Sequence, residues 1–157
     1  FNKFAKKRWY WSELSCNPNI TVEDVMNKPE LPWIWSWIGG SSYGLSYNPN
    51  ITMKCVMNNP DKPWDWYQLS NNPNITMKDV MNNPELPWDW QGLSSNPNFT
   101  FEFIKEFPDK QWSGYGLSFH SNVTIEIVNE FSNKRWYWSG LSCNPIITAE
   151  DVLNNLE

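Results

Sequence analysis

An all-α solenoid of stacked two-helix repeats, each about 24 residues long, is the fold this sequence predicts, and three observations carry that expectation. First, Leu-Ser pairs begin at residues 14, 45, 69, 93, 117 and 141, so the steps are 31, 24, 24, 24 and 24 residues. A fixed period of this size marks a stacked repeat architecture. Second, the motif NPNIT at 17–21, 48–52 and 72–76 returns with drift as NPNFT, HSNVT and NPIIT. Third, eleven of the twelve tryptophans fall in two columns of the period. The consensus reads L-S-x-N-P-N-I-T-x-x-x-V-x-x-x-P-x-x-P-W-x-W-x-x. A single domain over 1–157 is expected, with a partial unit at 1–13, units starting near 14, 45, 69, 93 and 117, and a partial unit at 141–157. One unit carries seven extra residues, placed at about 37–43.

The first helix of each unit starts after the motif threonine. In Thr21-Val22-Glu23-Asp24-Val25-Met26-Asn27 and Thr76-Met77-Lys78-Asp79-Val80-Met81-Asn82 the apolar positions fall at Thr+1, +4 and +5, which is helical spacing. Thr is the expected N-cap. Asp24, Asp79 and Asp151 stand at N3, where a carboxylate reaches back to the cap amide. The residue before each Thr pairs with the one five later, as Ile20 with Val25 and Ile75 with Val80, in the pattern of a hydrophobic staple. Pro29, Pro60, Pro84 and Pro108 stop this helix, because Pro disfavours helical geometry in the residue before it.

A second proline, in Pro63-Trp64-Asp65-Trp66 and Pro87-Trp88-Asp89-Trp90, suits the first turn of a second helix. On that reading the two tryptophans lie roughly 200° apart around one helix, one facing its own unit and one a neighbour. A strand is the competing reading, and proline beside the Trp pair argues against it. Asn-Pro-Asn then makes the turn into the next unit. The motif also spells N-x-T five times, a glycan-acceptor pattern. The copy at 144–148 drops the sequon asparagine and keeps the apolar residue and the Thr, so the recurrence has a structural reason of its own. Helices this short are unstable alone and must draw their stability from stacking.

Leu, Ile and Val are sparse, so the twelve tryptophans, each able to bury ~200 Å², are expected to make up much of the core. A net charge of −5 with interspersed signs excludes the basic stripe of a nucleic-acid or anionic-membrane surface. The most apolar run, 31–38, is too short to span a bilayer. Cys16, Cys55 and Cys143 are odd in number and lack C-x-x-C spacing, which suits free thiols rather than a disulfide framework or zinc site.

His120, the sole histidine, occupies the Asn column of a degenerate motif copy. With one His, no Ser-His-Asp, Cys-His or metal-ligand set assembles, and no phosphate-binding Gly-rich loop is present. Asp65 and Asp89 are read as helix-start or solvent-facing residues rather than paired catalytic carboxylates. No enzymatic activity, metal or cofactor is therefore expected. The insertion departs from the period, and loops on repeat scaffolds collect specific contacts. Trp37, Ile38 and Tyr43 are the candidate partner-binding residues. Around 113–121 and at Ser132 the consensus is most degraded, and a looser joint is expected there.

NPNIT followed by a helix, then NPDKPWDWYQLS at 59–70 and NNPELPWDWQGLS at 82–94, resembles tandem repeats in uncharacterised proteins of amoeba-infecting giant viruses, the mimivirus and marseillevirus groups. The resemblance covers essentially the whole chain. It implies a viral protein of the host cytoplasm (the viral factory) or of the virion, and assigns no activity. The expected role is a non-enzymatic scaffold binding an unidentified protein partner; the alternative is a structural virion component, glycosylated or not.

Overall fold

Eleven α-helices of four to six residues and one 3-10 turn form among residues 8–36 and 44–154, the parts that the computed structural model describes, and those residues contain no strand. The all-α class expected from the sequence holds for them. The chain divides into two compact units, Phe1–Ile75 and Thr76–Glu157.

The first unit runs α1 (Trp11–Ser15), α2 (Val22–Asn27), a 3-10 turn (Leu45–Tyr47), α3 (Met53–Asn58) and α4 (Trp66–Ser70). Thr21 caps α2 by accepting from the Asp24 amide, while Asp24 accepts from the Thr21 amide at 2.9 Å, a complete capping box. Thr52 makes no such cap; its N3 residue is Cys55, which cannot reciprocate as a carboxylate does. Helix α4 begins at Trp66 and not at Pro63. Asp65 is its N-cap, with extended backbone at ψ 107° and its carboxylate accepting from the Gln68 amide at 3.1 Å. The expected proline-led helix is therefore shorter, because Asp is the stronger capping residue and Pro63-Trp64 stay outside.

Two side-chain ladders tie the segments of this unit together. Ser15 Oγ accepts from the Ile34 amide at 3.0 Å and Ser46 Oγ from the Asp65 amide at 2.9 Å, each 19 residues on. Asn48, 1% exposed, donates from Nδ2 to the carbonyls of Ser15, Asn17 and Ile20 at 2.8, 3.0 and 3.2 Å. Asn72 Nδ2 likewise donates to Ser46 and Asn48 carbonyls at 3.0 and 3.1 Å. The Oδ1 atoms meanwhile accept from the amide two residues on, in Asn17, Asn48 and Asn72 alike. The Asn-Pro-Asn turn is thus present, and its first asparagine is also a buried strut.

The second unit runs α5 (Met77–Asn82), α6 (Trp90–Leu93), α7 (Glu102–Glu106), α8 (Gly114–Ser118), α9 (Ile125–Glu130), α10 (Trp138–Ser142) and α11 (Ala149–Leu153). Thr76 with Asp79, and Thr148 with Asp151, form capping boxes. Asp89 caps α6 and Ser113 caps α8. The serine ladder recurs: Ser94 Oγ accepts from the Ser113 amide and Ser118 Oγ from the Tyr137 amide, again 19 residues on. His120 does the asparagine's work, its Nε2 lying 2.8 Å from the Ser94 carbonyl, and Asn144 Nδ2 donates to the His120 carbonyl at 2.7 Å.

Indole contributes less to the core than composition suggests. The most deeply buried side chains are Leu45, Leu69 and Ile75 in the first unit and Val80, Leu93, Ile104, Leu117 and Val123 in the second. First-column Trp64, Trp88 and Trp112 are buried at 6–9% exposure. Their Nε1 groups donate to carbonyls five residues back, Asn59, Asn83 and Phe107, at 2.8–2.9 Å. Second-column tryptophans flank them edge-on across segments: Trp11 on Trp33 and Trp35 on Trp64 in the first unit, Trp90 on Trp112 in the second, at 5.0–5.3 Å. These T-shaped pairs are the favoured aromatic geometry. The first column lies outside the helices, whereas the second starts a helix at Trp11, Trp66, Trp90 and Trp138 but not at Trp35.

The degraded joint at 113–121 is tight rather than loose. Gly114 replaces a second-column tryptophan, and the Arg135 carbonyl lies where its Cβ would be, at 1.5 Å. The backbone has closed over the missing ring. Aromatic rings pack at this joint: Phe99 and Phe101 lie 5.1 and 6.5 Å from His120, and Phe101 lies 6.3 Å from Phe131 and 6.2 Å from Trp136.

Candidate interaction site

Trp37, Ile38 and Tyr43, the residues that sequence reasoning nominated, lie outside the described residues. What is described is the neck of the insertion. The Leu45 amide donates to the Ile34 carbonyl at 2.7 Å and the Ser46 amide to Trp35 at 3.2 Å. Gly44 donates from its amide to Gln68 Oε1 at 3.1 Å, and a Cβ there would meet the Ile34–Ser36 backbone at 2.7–2.8 Å. Matching Ile34 to Asp65 through the serine ladder places the extra residues between Trp35 and Gly44.

A different site stands out in the second unit. Tyr115 and Phe119 sit four residues apart, on and just after α8, a spacing that puts side chains on one helix face. Tyr137, the residue before α10, completes a triangle: the ring centroids are 5.0 Å (Tyr115–Phe119), 5.0 Å (Tyr115–Tyr137) and 6.0 Å (Phe119–Tyr137), tilted by 40–59°. All three are exposed, at 61, 51 and 43%. Beside them lies a cleft of about 510 Å³ reaching Pro97, Ser95 and His120, floored by Gly116. A Cβ on Gly116 would meet Ser95 Oγ at 2.6 Å and the Ser94 carbonyl at 2.9 Å. The floor has no room for a side chain.

One of these aromatics stands where other segments carry a residue with local hydrogen-bonding work. Tyr137 occupies the column of Asp65, Asp89 and Ser113, all N-caps, and α10 has no side-chain cap. Phe119 occupies the column of Asn71 and Ser95. Losing a cap costs about 1 kcal/mol, and leaving a ring in water forgoes its burial. Tyr10 repeats the uncapped arrangement before α1, but there the adjoining cleft is lined by one further ring, Trp9, and by the charged Glu13.

Chemically, the site can stack and can donate hydrogen bonds from phenol hydroxyls; its lining holds no charged side chain. Burial pushes the His120 pKa down from its ordinary 6.5, partly offset by the bond to the Ser94 carbonyl. Facing a carbonyl, its Nε2 carries the proton and acts as donor. Among the described residues no three His, Cys, Asp or Glu side chains converge as metal ligands, and no helix is long and apolar enough to cross a membrane. The three cysteines are free thiols.

The sequon asparagines divide by use. Asn50 donates from Nδ2 to the Pro18 and Ile20 carbonyls at 2.7 and 2.9 Å, and Asn74 Nδ2 to Pro49. A glycan replaces one amide hydrogen, and Asn50 has both committed. Asn19 and Asn122 are exposed. The aromatic triangle was not legible in the sequence because its rings come from two segments. The available signal was Tyr137 standing in an aspartate column three residues before an otherwise ordinary Gly-Leu-Ser. No protein-family profile, curated protein or solved structure matches the chain.

Proposed function

We propose that this chain is a non-enzymatic helical scaffold, a solenoid of stacked segments, that holds a protein partner through side chains displayed on it. The observation that carries the reading is the exposed Tyr115–Phe119–Tyr137 triangle. A helix cap is forgone there and the three rings stay 43–61% exposed, and exposed aromatic clusters are characteristic of interaction sites. The serine and asparagine ladders support the scaffold half of the proposal, since they fix neighbouring segments through buried hydrogen bonds rather than through ring packing alone.

The resemblance to giant-virus repeats makes extract of infected amoebae the appropriate source of partner. Affinity capture with the parent chain and with a Tyr115→Gln, Phe119→Asn double variant tests the reading, because Gln91 and Asn71 are the residues other segments carry at those columns. One or more proteins should be captured by the parent and lost with the variant. Identical capture by both would overturn the assignment of the triangle. A crystal structure in which successive segments do not stack along one axis would overturn the solenoid.

A further inference from the structure

We propose that the triangle and its cleft bind an uncharged, proline-rich segment in the extended polyproline helix. This deepens the preceding reading and rests on it. The argument is one of chemical fit. The cleft lining carries no Lys or Arg to meet phosphates, and no carboxylate, carboxamide or guanidinium to read sugar hydroxyls in the bidentate way planar groups allow. Its rings are inclined to one another by 40–59°. They offer ridges and troughs, where a flat base or a sugar face would want a plane.

What the site does offer is apolar relief beside hydrogen-bond donors. The Tyr115 and Tyr137 hydroxyls make no hydrogen bond among the described residues, and the two rings are 61 and 43% exposed. A polyproline helix is the complementary object: pyrrolidine rings along its ridges, backbone carbonyls open as acceptors, and no N–H at its prolines to need an acceptor. Aromatic-lined grooves take such segments at little ordering cost, because the extended helix is preformed. Pro97 on the cleft wall and the Gly116 floor keep the trough open and apolar.

The test uses the full chain and three probes: a capped decaproline peptide, cellohexaose, and a twelve-residue oligothymidylate, each titrated by calorimetry. Saturable decaproline binding is expected, with neither other probe binding. Tyr137→Asp and Phe119→Asn should each weaken it at least tenfold. Both place at the site a residue that the same column already holds in Asp65, Asp89 and Asn71, so folding is preserved, and Tyr137→Asp restores a cap to α10 and should raise the melting temperature. Failure of decaproline to bind, or equal binding by the variants, overturns the proposal. Binding of the glucan or the oligonucleotide in its place overturns it as well. If captured partners depend on the triangle yet decaproline does not displace them, the polyproline ligand fails while the interaction site stands; if capture ignores the triangle, both fail.

Discussion

Replacing Asn48 by Ala and by Asp separates a turn residue from a strut. Asn48 shares two amide hydrogens among the carbonyls of Ser15, Asn17 and Ile20, and its Oδ1 accepts from the Asn50 amide at 2.8 Å. Each net hydrogen bond is worth about 1 kcal/mol, and each buried partner left unsatisfied costs about 1–3 kcal/mol. Two donated bonds and at least one stranded carbonyl give a loss of about 3–5 kcal/mol for Asn48→Ala. In a chain of this size that lowers the melting temperature on the order of 10 °C. Asn48→Asp keeps the acceptor toward Asn50 and is equally good in an Asx turn, but it aims a carboxylate at three carbonyls in a buried position. It should therefore cost at least as much as Ala. Urea unfolding followed by tryptophan fluorescence measures both. Asn17 supplies the control: it stands in the same column and accepts from the Asn19 amide at 2.8 Å, and its Nδ2 donates to none of the described residues, so Asn17→Ala should cost about 1 kcal/mol or less. Asn48→Asp within about 0.5 kcal/mol of the parent, the range of an ordinary surface change, would refute the strut.

Trp64→Ala removes a buried ring, its Nε1 bond to Asn59 and its edge contact with Trp35, and should cost about 3–5 kcal/mol in the same urea titration. Thr76→Ala dismantles the capping box with Asp79 and should cost about 1 kcal/mol. Gly114→Ala should lower stability by about 1–3 kcal/mol, read by calorimetry, because the Arg135 carbonyl already occupies the Cβ position. His120 is held below its ordinary pKa of 6.5 by burial, so the unfolded chain takes up that proton first. Its stabilising contribution should be complete above pH 6.5 and decline as pH falls from there toward the folded-state pKa. His120→Asn, the residue of the matching columns, should flatten this dependence in melts recorded across roughly pH 5–8.

The capping boxes at Thr21/Asp24, Thr76/Asp79 and Thr148/Asp151 were legible in the sequence because both partners lie within one helical turn. The start of α4 was not. Two helix-start signals, a first-turn proline and a capping aspartate, compete within three residues, and the aspartate sets the start by accepting from the Gln68 amide. The asparagine strut was hidden for a different reason. Its acceptors lie 24 to 33 residues away, and local turn chemistry already accounted for Asn-Pro-Asn. The aromatic triangle draws rings from two segments. Reading down a column averages such a departure away, whereas comparing Tyr137 with Asp65 and Asp89 reveals it.

The serine ladder fixes how this chain tolerates changes in length. From each ladder serine to the amide it receives is 19 residues, at 15 to 34, 46 to 65, 94 to 113 and 118 to 137. The natural seven-residue insertion leaves every one of those spans untouched, because it falls between Trp35 and Gly44, after one bond closes and before the next opens. The period therefore has a rigid part and an elastic part. A foreign peptide grafted just after the second-column tryptophan, for example between Trp90 and Gln91, leaves those spans intact as the insertion after Trp35 does, at the cost of the Asp89 cap on the Gly92 amide. The same peptide placed between Thr100 and Trp112 would pull the Ser113 amide away from Ser94. The gap after that tryptophan is the natural address for displaying new sequence on this framework.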